Sequence, residues 1–386
     1  MTDFDAVIDR HATASEKWDR YDGTEIIPLW VADMDFQSPP AVLNALQQRI
    51  SHGVFGYTHP PAELIATVIA LQQQEFGWQI EPDWLVWLPG LVCGLNVACR
   101  AVGQVGDAVA TFTPVYPPFL SAPDLADRRL VTAPLVEQQG RWVMDLDALE
   151  QAITPRTKLL LLCSPHNPVG RVWERSEQLA LAVVVERHNL IVCSDEIHSG
   201  LMLDTSTRHI PFATLSPELA QRTITLQAPS KTYNIPGLGC SFAIIPNQGL
   251  RKAFKSVMAG IVPHVNLLGY TAALAAYRDS ESWRQELLSY LRGNHKLVQN
   301  AIATIPGLQT WPVEATCLSW IDARGLGQAD PTAFFEQAGV GLSDGSAFGA
   351  PGFVRLNFGC PRSLLELGLE RMQQALEQKQ KERIYS

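Results

Sequence analysis

Several sequence signatures that would indicate other classes of protein are missing from this chain. None of its seven cysteines forms a C-x-x-C pair, and none of its nine histidines belongs to an H-E-x-x-H pattern. The common zinc-site signatures are therefore absent, and we predict no metal site. The cysteine count is odd and several cysteines lie inside apolar runs, so we expect reduced, buried thiols and no disulfide framework.

Positive charge is also scarce. The 30 Lys and Arg residues are outnumbered by 39 Asp and Glu, which gives a net charge of −9. Such a protein attracts neither nucleic acid nor an anionic membrane surface, so we expect neither as a partner. No apolar run is long enough to cross a bilayer, and the first ten residues, MTDFDAVIDR, lack the apolar segment of a signal peptide. We therefore expect a cytoplasmic protein.

What the sequence does contain is a regular succession of apolar strands separated by helical stretches. Such strands indicate a mostly parallel sheet covered on both faces, an α/β architecture. The 386 residues suffice for one large domain and a smaller companion. We predict a large α/β domain over residues 46–275 and a smaller α+β domain built from residues 1–45 and 276–386. The predicted strands of the large domain cover residues 84–88, 108–113, 130–135, 158–163, 190–193, 223–227 and 240–245.

Three of these strands are followed by residues that suit one kind of chemistry. Lys231 follows the strand at 223–227, Asp195 lies in SDEIH and Asn167 lies in SPHNPVG. The carboxyl ends of strands in an open α/β sheet are where such sites collect. A lysine can form a Schiff base, a carboxylate can keep a pyridine nitrogen protonated, and an amide can bond a phenolic oxygen. Together they predict a pyridoxal phosphate site.

Two further features suit an anionic ligand. Gly90 precedes an apolar helix, whose first amides offer a place for a phosphate, although a glycine before a helix is a weak signal alone. Arg355 lies inside the apolar run 353–358, where an unpaired guanidinium is costly to bury. A carboxylate of a bound substrate would compensate that charge.

With SKTYNIPGL, HNPVG and SDEIH at these spacings, the chain resembles fold type I pyridoxal phosphate enzymes, the aspartate aminotransferase superfamily of class I and II aminotransferases. The agreement runs nearly from end to end. WVADMDF, FGYT, TPVYPPF, SDEIH and VRLNFGCPR are similar to the cystathionine β-lyase and cysteine-S-conjugate β-lyase branch, the MalY/PatB type. Five motifs in the same order make the resemblance specific.

The resemblance implies a function and a set of residue roles. It implies a carbon–sulfur lyase that cleaves L-cystathionine or a related cysteine S-conjugate to a thiol, pyruvate and ammonia. Lys231 would carry the cofactor and transfer protons at the substrate Cα, and Arg355 would bind the substrate carboxylate. It further implies a homodimer, with Tyr57 reaching the site of the other subunit. The implied cofactor-binding residues are Leu91, Val92, Cys93, Tyr116, Asn167, Asp195, His198, Ser230 and Lys231.

Two departures from the wider superfamily bear on the reaction. Many aminotransferases carry an arginine eight residues after the lysine and a tyrosine three residues after the aspartate, where this chain has Gly239 and His198. Both fit the lyase branch and weaken an aminotransferase assignment. The alternatives are still an aminotransferase or a pyridoxal-phosphate-binding regulatory protein. The sequence GLSDG at 341–345 also matches the G-x-S-x-G pattern of serine hydrolases, but the strand and apolar helix expected around it are not predicted.

Overall fold

The computed structural model describes the backbone of residues 2–385 and the side chains of residues 2–379. The strands are β1 (Ile27–Pro28), β2 (Leu85–Leu88), β3 (Ala108–Thr113), β4 (Arg129–Gln138), β5 (Arg141–Met144), β6 (Thr157–Cys163), β7 (Ile191–Asp195), β8 (Thr223–Gln227), β9 (Ser241–Ile244), β10 (Gln309–Thr310), β11 (Leu318–Asp322), β12 (Val340–Gly341), β13 (Ser343–Asp344) and β14 (Phe353–Asn357).

Besides six short 3-10 helices, the described part of the chain also contains twelve α-helices. They are α1 (Pro40–Ser51), α2 (Ala62–Phe76), α3 (Leu91–Ala101), α4 (Pro118–Leu125), α5 (Leu146–Ala152), α6 (Arg175–Arg187), α7 (Pro217–Ala220), α8 (Gln248–Met258), α9 (Leu267–Asp279), α10 (Glu281–Thr304), α11 (Pro331–Gln337) and α12 (Arg362–Tyr385).

The large sheet has eight strands in the order β2-β9-β8-β7-β6-β3-β4-β5. Its centre is parallel, because β4, β3, β6, β7 and β8 all run the same way, as the apolar pattern predicts. The strand β9 runs antiparallel to both β8 and β2. All five residues of β8 are buried, which is expected for a strand with helices on both faces of its sheet.

A second, smaller group of strands comes from the two ends of the chain. β10, β11, β14 and β13 form a four-stranded antiparallel sheet, and β1 pairs in parallel with β12. One apolar cluster joins Phe4, Leu29 and Phe36 of the N-terminal segment to residues of α9, α10, α12 and this sheet. The same cluster also contains Leu201, Tyr233 and Ala272 of the predicted large domain, so the division into residues 46–275 and residues 1–45 with 276–386 stays a prediction.

The structure adds elements that the sequence patterns do not predict. β5 pairs with β4 at the edge of the large sheet, and α8 buries only Phe254 among its eleven residues. β7 runs two residues beyond its predicted end at 193, so that Asp195 is the last residue of the strand. Strand prediction from apolar runs stops too early there, because Ser194 and Asp195 are polar although both are buried.

The sequence predicts no disulfide framework, no metal site and no membrane-spanning segment. All seven cysteines are unpaired thiols, and only Cys93 is more than marginally exposed. Within residues 2–379, no group of three or more His, Cys, Asp or Glu side chains is arranged to hold a metal ion. No helix in the described range is both long and apolar enough to pass through a membrane.

Candidate active site

The candidate active site lies at the carboxyl end of the parallel strands. In the register of the sheet, Cys163 at the end of β6 pairs with Asp195 at the end of β7. Asp195 in turn pairs with Leu226 near the end of β8. Asn167, Asp195 and Lys231 therefore leave three adjacent strands at one edge of the sheet. This is the convergence that the sequence predicts, and the register of the strands produces it.

Lys231 is half-buried just beyond β8. Its Nζ donates a hydrogen bond to the carbonyl oxygen of Ala32 at 2.9 Å. Burial lowers the pKa of Lys231, and the nearby guanidinium of Arg355 acts in the same direction. A lysine whose pKa is lowered has more of the neutral amine, which is the form that acts as a nucleophile or a base.

Asp195 is almost fully buried, at 5% exposure. Its Oδ1 accepts a hydrogen bond from the amide of Ile197 at 3.1 Å, and its Oδ2 accepts none from the described residues. Burial raises the pKa of Asp195 to about 7, in spite of the bond from Ile197. A buried carboxylate with one free oxygen requires a cationic or donating partner, and a protonated pyridine nitrogen has both properties.

Arg355 and Asn167 contact each other across the site. Arg355 lies on β14, and one terminal nitrogen donates to the side-chain oxygen of Asn167 at 3.0 Å. This bond leaves the Nδ2 amide group of Asn167 without an acceptor among the described side chains and backbone. Asn167 can therefore still donate to a phenolic oxygen, as its predicted role requires.

Arg355 has no carboxylate partner in the described part of the chain. Its other terminal nitrogen donates to the carbonyl of Trp30 at 3.0 Å and to the hydroxyl of Ser343 at 3.3 Å. Its Nε is buried without an acceptor, and the guanidinium lies 4.8 Å from the centre of the Phe348 ring. Burial lowers the pKa of Arg355 to about 10. A buried cation in this state favours an anionic ligand.

Ser343 belongs to the GLSDG sequence that matches the serine hydrolase pattern. It lies on the two-residue strand β13, next to Arg355 on β14. Its hydroxyl donates to the carbonyl of Trp30 at 2.8 Å and accepts from Arg355, and no histidine is among its partners. Ser343 thus supports the arginine and has no base that could activate it as a nucleophile.

The predicted phosphate-binding position lies at the same edge of the sheet, where α3 begins. Leu88, the last residue of β2, pairs with Ser241 on β9. The strand β9 in turn lies next to β8. The amides of Leu91, Val92 and Cys93 have no acceptor in the described structure, and no side chain caps this helix. Ser230 is half-buried directly before Lys231. Free amides at a helix N-terminus suit a phosphate group.

Tyr116 and His198 border the same region. Tyr116 is half-buried, its amide donates to the carbonyl of Asn167 at 3.1 Å, and burial raises its pKa. His198 is buried, and its Nδ1 has no partner among the described atoms. Burial lowers the pKa of His198 to about 3, with contributions from Lys231 and Arg355. His198 is therefore a neutral neighbour of the site.

Tyr57 is the one predicted site residue that this chain does not bring to the site. Its side chain is fully exposed, and Val54 and Phe55 beside it are each 60% exposed. The segment containing them lies between α1 and α2, and Tyr57 makes no hydrogen bond to any described residue. A single chain therefore supplies every predicted site residue except Tyr57.

Sequence reasoning missed the contribution of the N-terminal segment 30–36. The carbonyls of Trp30 and Ala32 accept hydrogen bonds from Arg355 and Lys231. Asn234 holds the segment through the carbonyls of Met34 and Phe36, and Asn357 holds it through the carbonyls of Val31 and Asp33. Backbone carbonyls have no residue-type signature, so only the cluster of aromatic and acidic residues could have suggested that this stretch packs against something.

Gly239 occupies the position where the wider superfamily often carries a second arginine. Its φ is +58°, a left-handed conformation that favours glycine. A Cβ atom there would lie 3.1 Å from the carbonyl oxygen of Pro89. An arginine would therefore require a different backbone at this point, which gives the departure a local structural reason.

Known proteins match this chain over nearly its whole length. The model of the aminotransferase class I and II family matches residues 24–372. Cystathionine β-lyase PatB of Bacillus subtilis is 37% identical over 97% of this chain and 99% of its own length. The crystal structure of OvoB superposes with a TM-score of 0.95 at 49% identity, covering 97% of this chain and 98% of that one. The pyridoxal-phosphate-bound C–S lyase from Staphylococcus hominis gives a TM-score of 0.91 at 32% identity, covering 97% of each chain.

Proposed function

The chain belongs to the aminotransferase class I and II family, and we propose that it is a pyridoxal-phosphate-dependent C–S β-lyase acting on L-cystathionine or a related cysteine S-conjugate. The fold and the family expected from the sequence are confirmed. The observation that carries the proposal is that Lys231 lies near Arg355, a buried arginine with no carboxylate partner in the described chain. The two residues would provide a base and an anion site close together.

The residues of this chain fit pyridoxal phosphate. Asp195 has a free carboxylate oxygen for the ring nitrogen, Asn167 has a free amide group for the phenolic oxygen, and the start of α3 has free amides for the phosphate. Tyr116 would border the ring. When bound, this cofactor supplies an electron sink that stabilises negative charge at the substrate Cα. We assign Leu91, Val92, Cys93 and Ser230 to the phosphate and His198 to the surroundings of the ring.

The chain's own part in the reaction begins with Arg355. Its guanidinium binds the substrate carboxylate, and the bonds to Asn167, Trp30 and Ser343 fix its orientation. A substrate carboxylate bound to Arg355 directs the substrate Cα towards Lys231. Because the arginine is already desolvated and oriented, little reorganisation is needed when the substrate binds.

Lys231 then moves the proton. Its lowered pKa makes the neutral amine available to remove the proton from Cα. The carbonyl of Ala32 holds Nζ in place when the lysine is not otherwise bonded. Loss of the Cα proton allows the bond between Cβ and sulfur to break, with the electron pair leaving on the thiolate. Asp195 would hold the ring nitrogen of the cofactor in its protonated form.

The experiment that tests this function separates a lyase from an aminotransferase. The purified, cofactor-loaded protein is incubated with excess L-cystathionine and no keto acid, and pyruvate and free thiol are measured together. A lyase releases many equivalents of both per subunit in equal amounts. An aminotransferase leaves the C–S bond intact. If neither pyruvate nor thiol forms, and the substrate is instead converted to its α-keto acid, at about one equivalent per subunit until a keto-acid acceptor is added, the proposal is wrong.

We also propose that the protein acts as a homodimer in the cytoplasm. Seven unpaired thiols suit a reducing compartment. Support for the dimer comes from the exposed residues Val54, Phe55 and Tyr57, which form an apolar projection with no partner in the described chain. A second copy would bury this projection, and Tyr57 would complete the phosphate site of that copy.

Mixing two inactive variants tests the placement of Tyr57. In a dimer that combines Lys231→Ala with Tyr57→Phe, one site carries both changes and the other site carries neither. We expect an equimolar, re-equilibrated mixture to recover about a quarter of the wild-type activity, since half of the dimers are mixed and each has one intact site. Recovery that does not exceed the summed activities of the separate variants would place Tyr57 in its own chain's site.

A further inference from the structure

Asn357 lies two residues beyond Arg355 on β14, a strand whose five residues are all buried. Because side chains alternate along a strand, Asn357 and Arg355 share one face of β14. Both side chains donate hydrogen bonds to the stretch 29–33 of the N-terminal segment. Asn357 is itself 0% exposed, so the polar groups of its side chain need partners inside the protein.

Asn357 bonds every second residue of this stretch. Its backbone amide donates to the carbonyl of Leu29 at 2.8 Å. Its side-chain Nδ2 donates to the carbonyl of Val31 at 2.6 Å and to that of Asp33 at 2.8 Å. Its Oδ1 accepts from the amide of Gly359 at 2.8 Å. The side chain of Asn357 is thus fully engaged, and two of its three bonds fix the backbone of the stretch.

The two residues between these positions bond the residues proposed to act on the substrate. The carbonyl of Trp30 accepts from Arg355 at 3.0 Å, and the carbonyl of Ala32 accepts from the Nζ of Lys231 at 2.9 Å. Each peptide unit is planar, so a carbonyl cannot turn without moving the residues on either side of it. By holding alternate carbonyls of the stretch, Asn357 therefore sets the direction of the carbonyls that orient Arg355 and Lys231.

The centre of the stretch depends on Asn357 more than its ends do. In the described structure, Asn357 supplies the only hydrogen bond to the carbonyl of Val31. The ends have further partners, since Lys17 donates to the carbonyl of Asp33 at 3.2 Å and the amide of Leu29 donates to a carbonyl of β12. Loss of the Asn357 amide group would therefore displace the centre of the stretch and leave its ends in place.

We propose that Asn357 is a positioning residue, which orients Arg355 and Lys231 together through the carbonyls of Trp30 and Ala32. The inference rests on the proposed function, because it assigns Arg355 to the substrate carboxylate and Lys231 to the Cα proton. Asn357 acts through other groups, since its own side chain is fully bonded within the protein. A polar group that holds such residues in place contributes to the rate by keeping the reacting atoms aligned.

Three variants test the proposal. Asn357→Asp keeps the shape and the acceptor oxygen of the side chain but replaces its donating amide group with a second oxygen. Asn357→Ala removes the side chain without adding a charge and is measured in parallel, so that the result does not depend on one variant folding. Gln178→Glu is the matched control. The buried side chain of Gln178 also donates to two carbonyls, those of Trp173 and Ile210, and none of its bonds is to the stretch 29–33.

The first measurement reports on Arg355. L-Alanine and L-alaninamide differ only in the carboxylate, and neither carries a leaving group at Cβ. Their dissociation constants for the cofactor-loaded protein are obtained from the change in cofactor absorbance on binding. Both Asn357 variants should bind L-alanine about three- to tenfold more weakly, the loss that corresponds to one hydrogen bond. Binding of L-alaninamide should not change, because it has no carboxylate for Arg355.

The second measurement reports on Lys231. The exchange of the Cα hydrogen of L-alanine with D₂O is followed by NMR at saturating L-alanine. Both Asn357 variants should lower this rate by about 10- to 100-fold, because a displacement of about 1 Å from the reacting atom can cost that much. In the protein without added cofactor, backbone amides of the stretch 29–33 should exchange with D₂O faster in the same variants, since the stretch is held less firmly.

The Gln178→Glu control should match the wild-type protein in every one of these measurements. The proposal is wrong if both Asn357 variants keep the wild-type preference for L-alanine over L-alaninamide, if they keep the wild-type Cα exchange rate, or if Gln178→Glu shows the same losses. None of the measurements requires a C–S bond to break. If the Asn357 variants behave as expected but the wild-type protein releases no thiol from L-cystathionine, the role of Asn357 is confirmed and the lyase function fails.

Discussion

Replacing Lys231 by alanine is expected to reduce pyruvate release from L-cystathionine by about 10⁴-fold or more. A positioned base contributes up to about 10⁴-fold by itself, and this lysine is also the residue predicted to attach the cofactor. Lys17, the buried lysine of the described chain, is not expected to replace it because Lys17 is paired with Asp35. Initial rates with the cofactor in excess measure the effect.

Two controls make this result specific. Lys296→Ala removes an exposed lysine from α10 and should retain the wild-type rate. A small primary amine such as ethylamine should restore part of the activity of Lys231→Ala, because it can enter the space left by the side chain and accept the Cα proton. Substantial lyase activity in Lys231→Ala without added amine would contradict the assignment of Lys231.

Replacing Asp195 by asparagine is expected to lower the turnover number by about 10²- to 10⁴-fold. The change keeps the shape and the acceptor for the Ile197 amide but removes the charge opposite the ring nitrogen. Loss of one partner from a buried charge pair costs about 3–5 kcal/mol, which corresponds to this range of rates if the pair acts in the transition state. Steady-state kinetics with saturating cofactor measure the loss.

A spectroscopic readout distinguishes this role from a purely structural one. The pH at which the absorbance of the bound cofactor changes should shift in Asp195→Asn, because the carboxylate no longer favours the protonated ring. Asp83→Asn, an exposed aspartate before β2, should change neither rate nor spectrum. An Asp195→Asn protein with the wild-type rate and titration would show that Asp195 does not pair with the ring.

The parts of the site that sequence reasoning predicts are those that follow from strand order. Parallel strands place their carboxyl ends at one edge, so the residues after 163, 193 and 227 were expected to meet. The anion-binding role of Arg355 was predictable because a guanidinium buried inside an apolar strand requires an anionic partner. The arginine is indeed 4% exposed and lacks a carboxylate partner among the described residues.

The contacts that sequence reasoning misses are made by backbone atoms or over long separations. Lys231 meets the carbonyl of Ala32 across 199 residues, and Arg355 meets Asn167 across 188. Contacts over such long separations produce no periodic pattern in the sequence. The role of Ser343 was hidden by its match to a hydrolase motif, and only its position beside Arg355 shows that it supports the arginine.

Lys231 is the residue predicted to hold the cofactor, and every other proposed role at the site depends on it. The cofactor-loaded protein is treated with sodium borohydride, which reduces the link between the lysine and the cofactor to a stable amine, and the digested peptides are then mapped by mass spectrometry. We predict the added mass on Lys231, within the peptide that contains SKTYNIPGL, and on no other lysine. Modification of a different lysine, or recovery of all the cofactor unattached after reduction, would contradict the site described above.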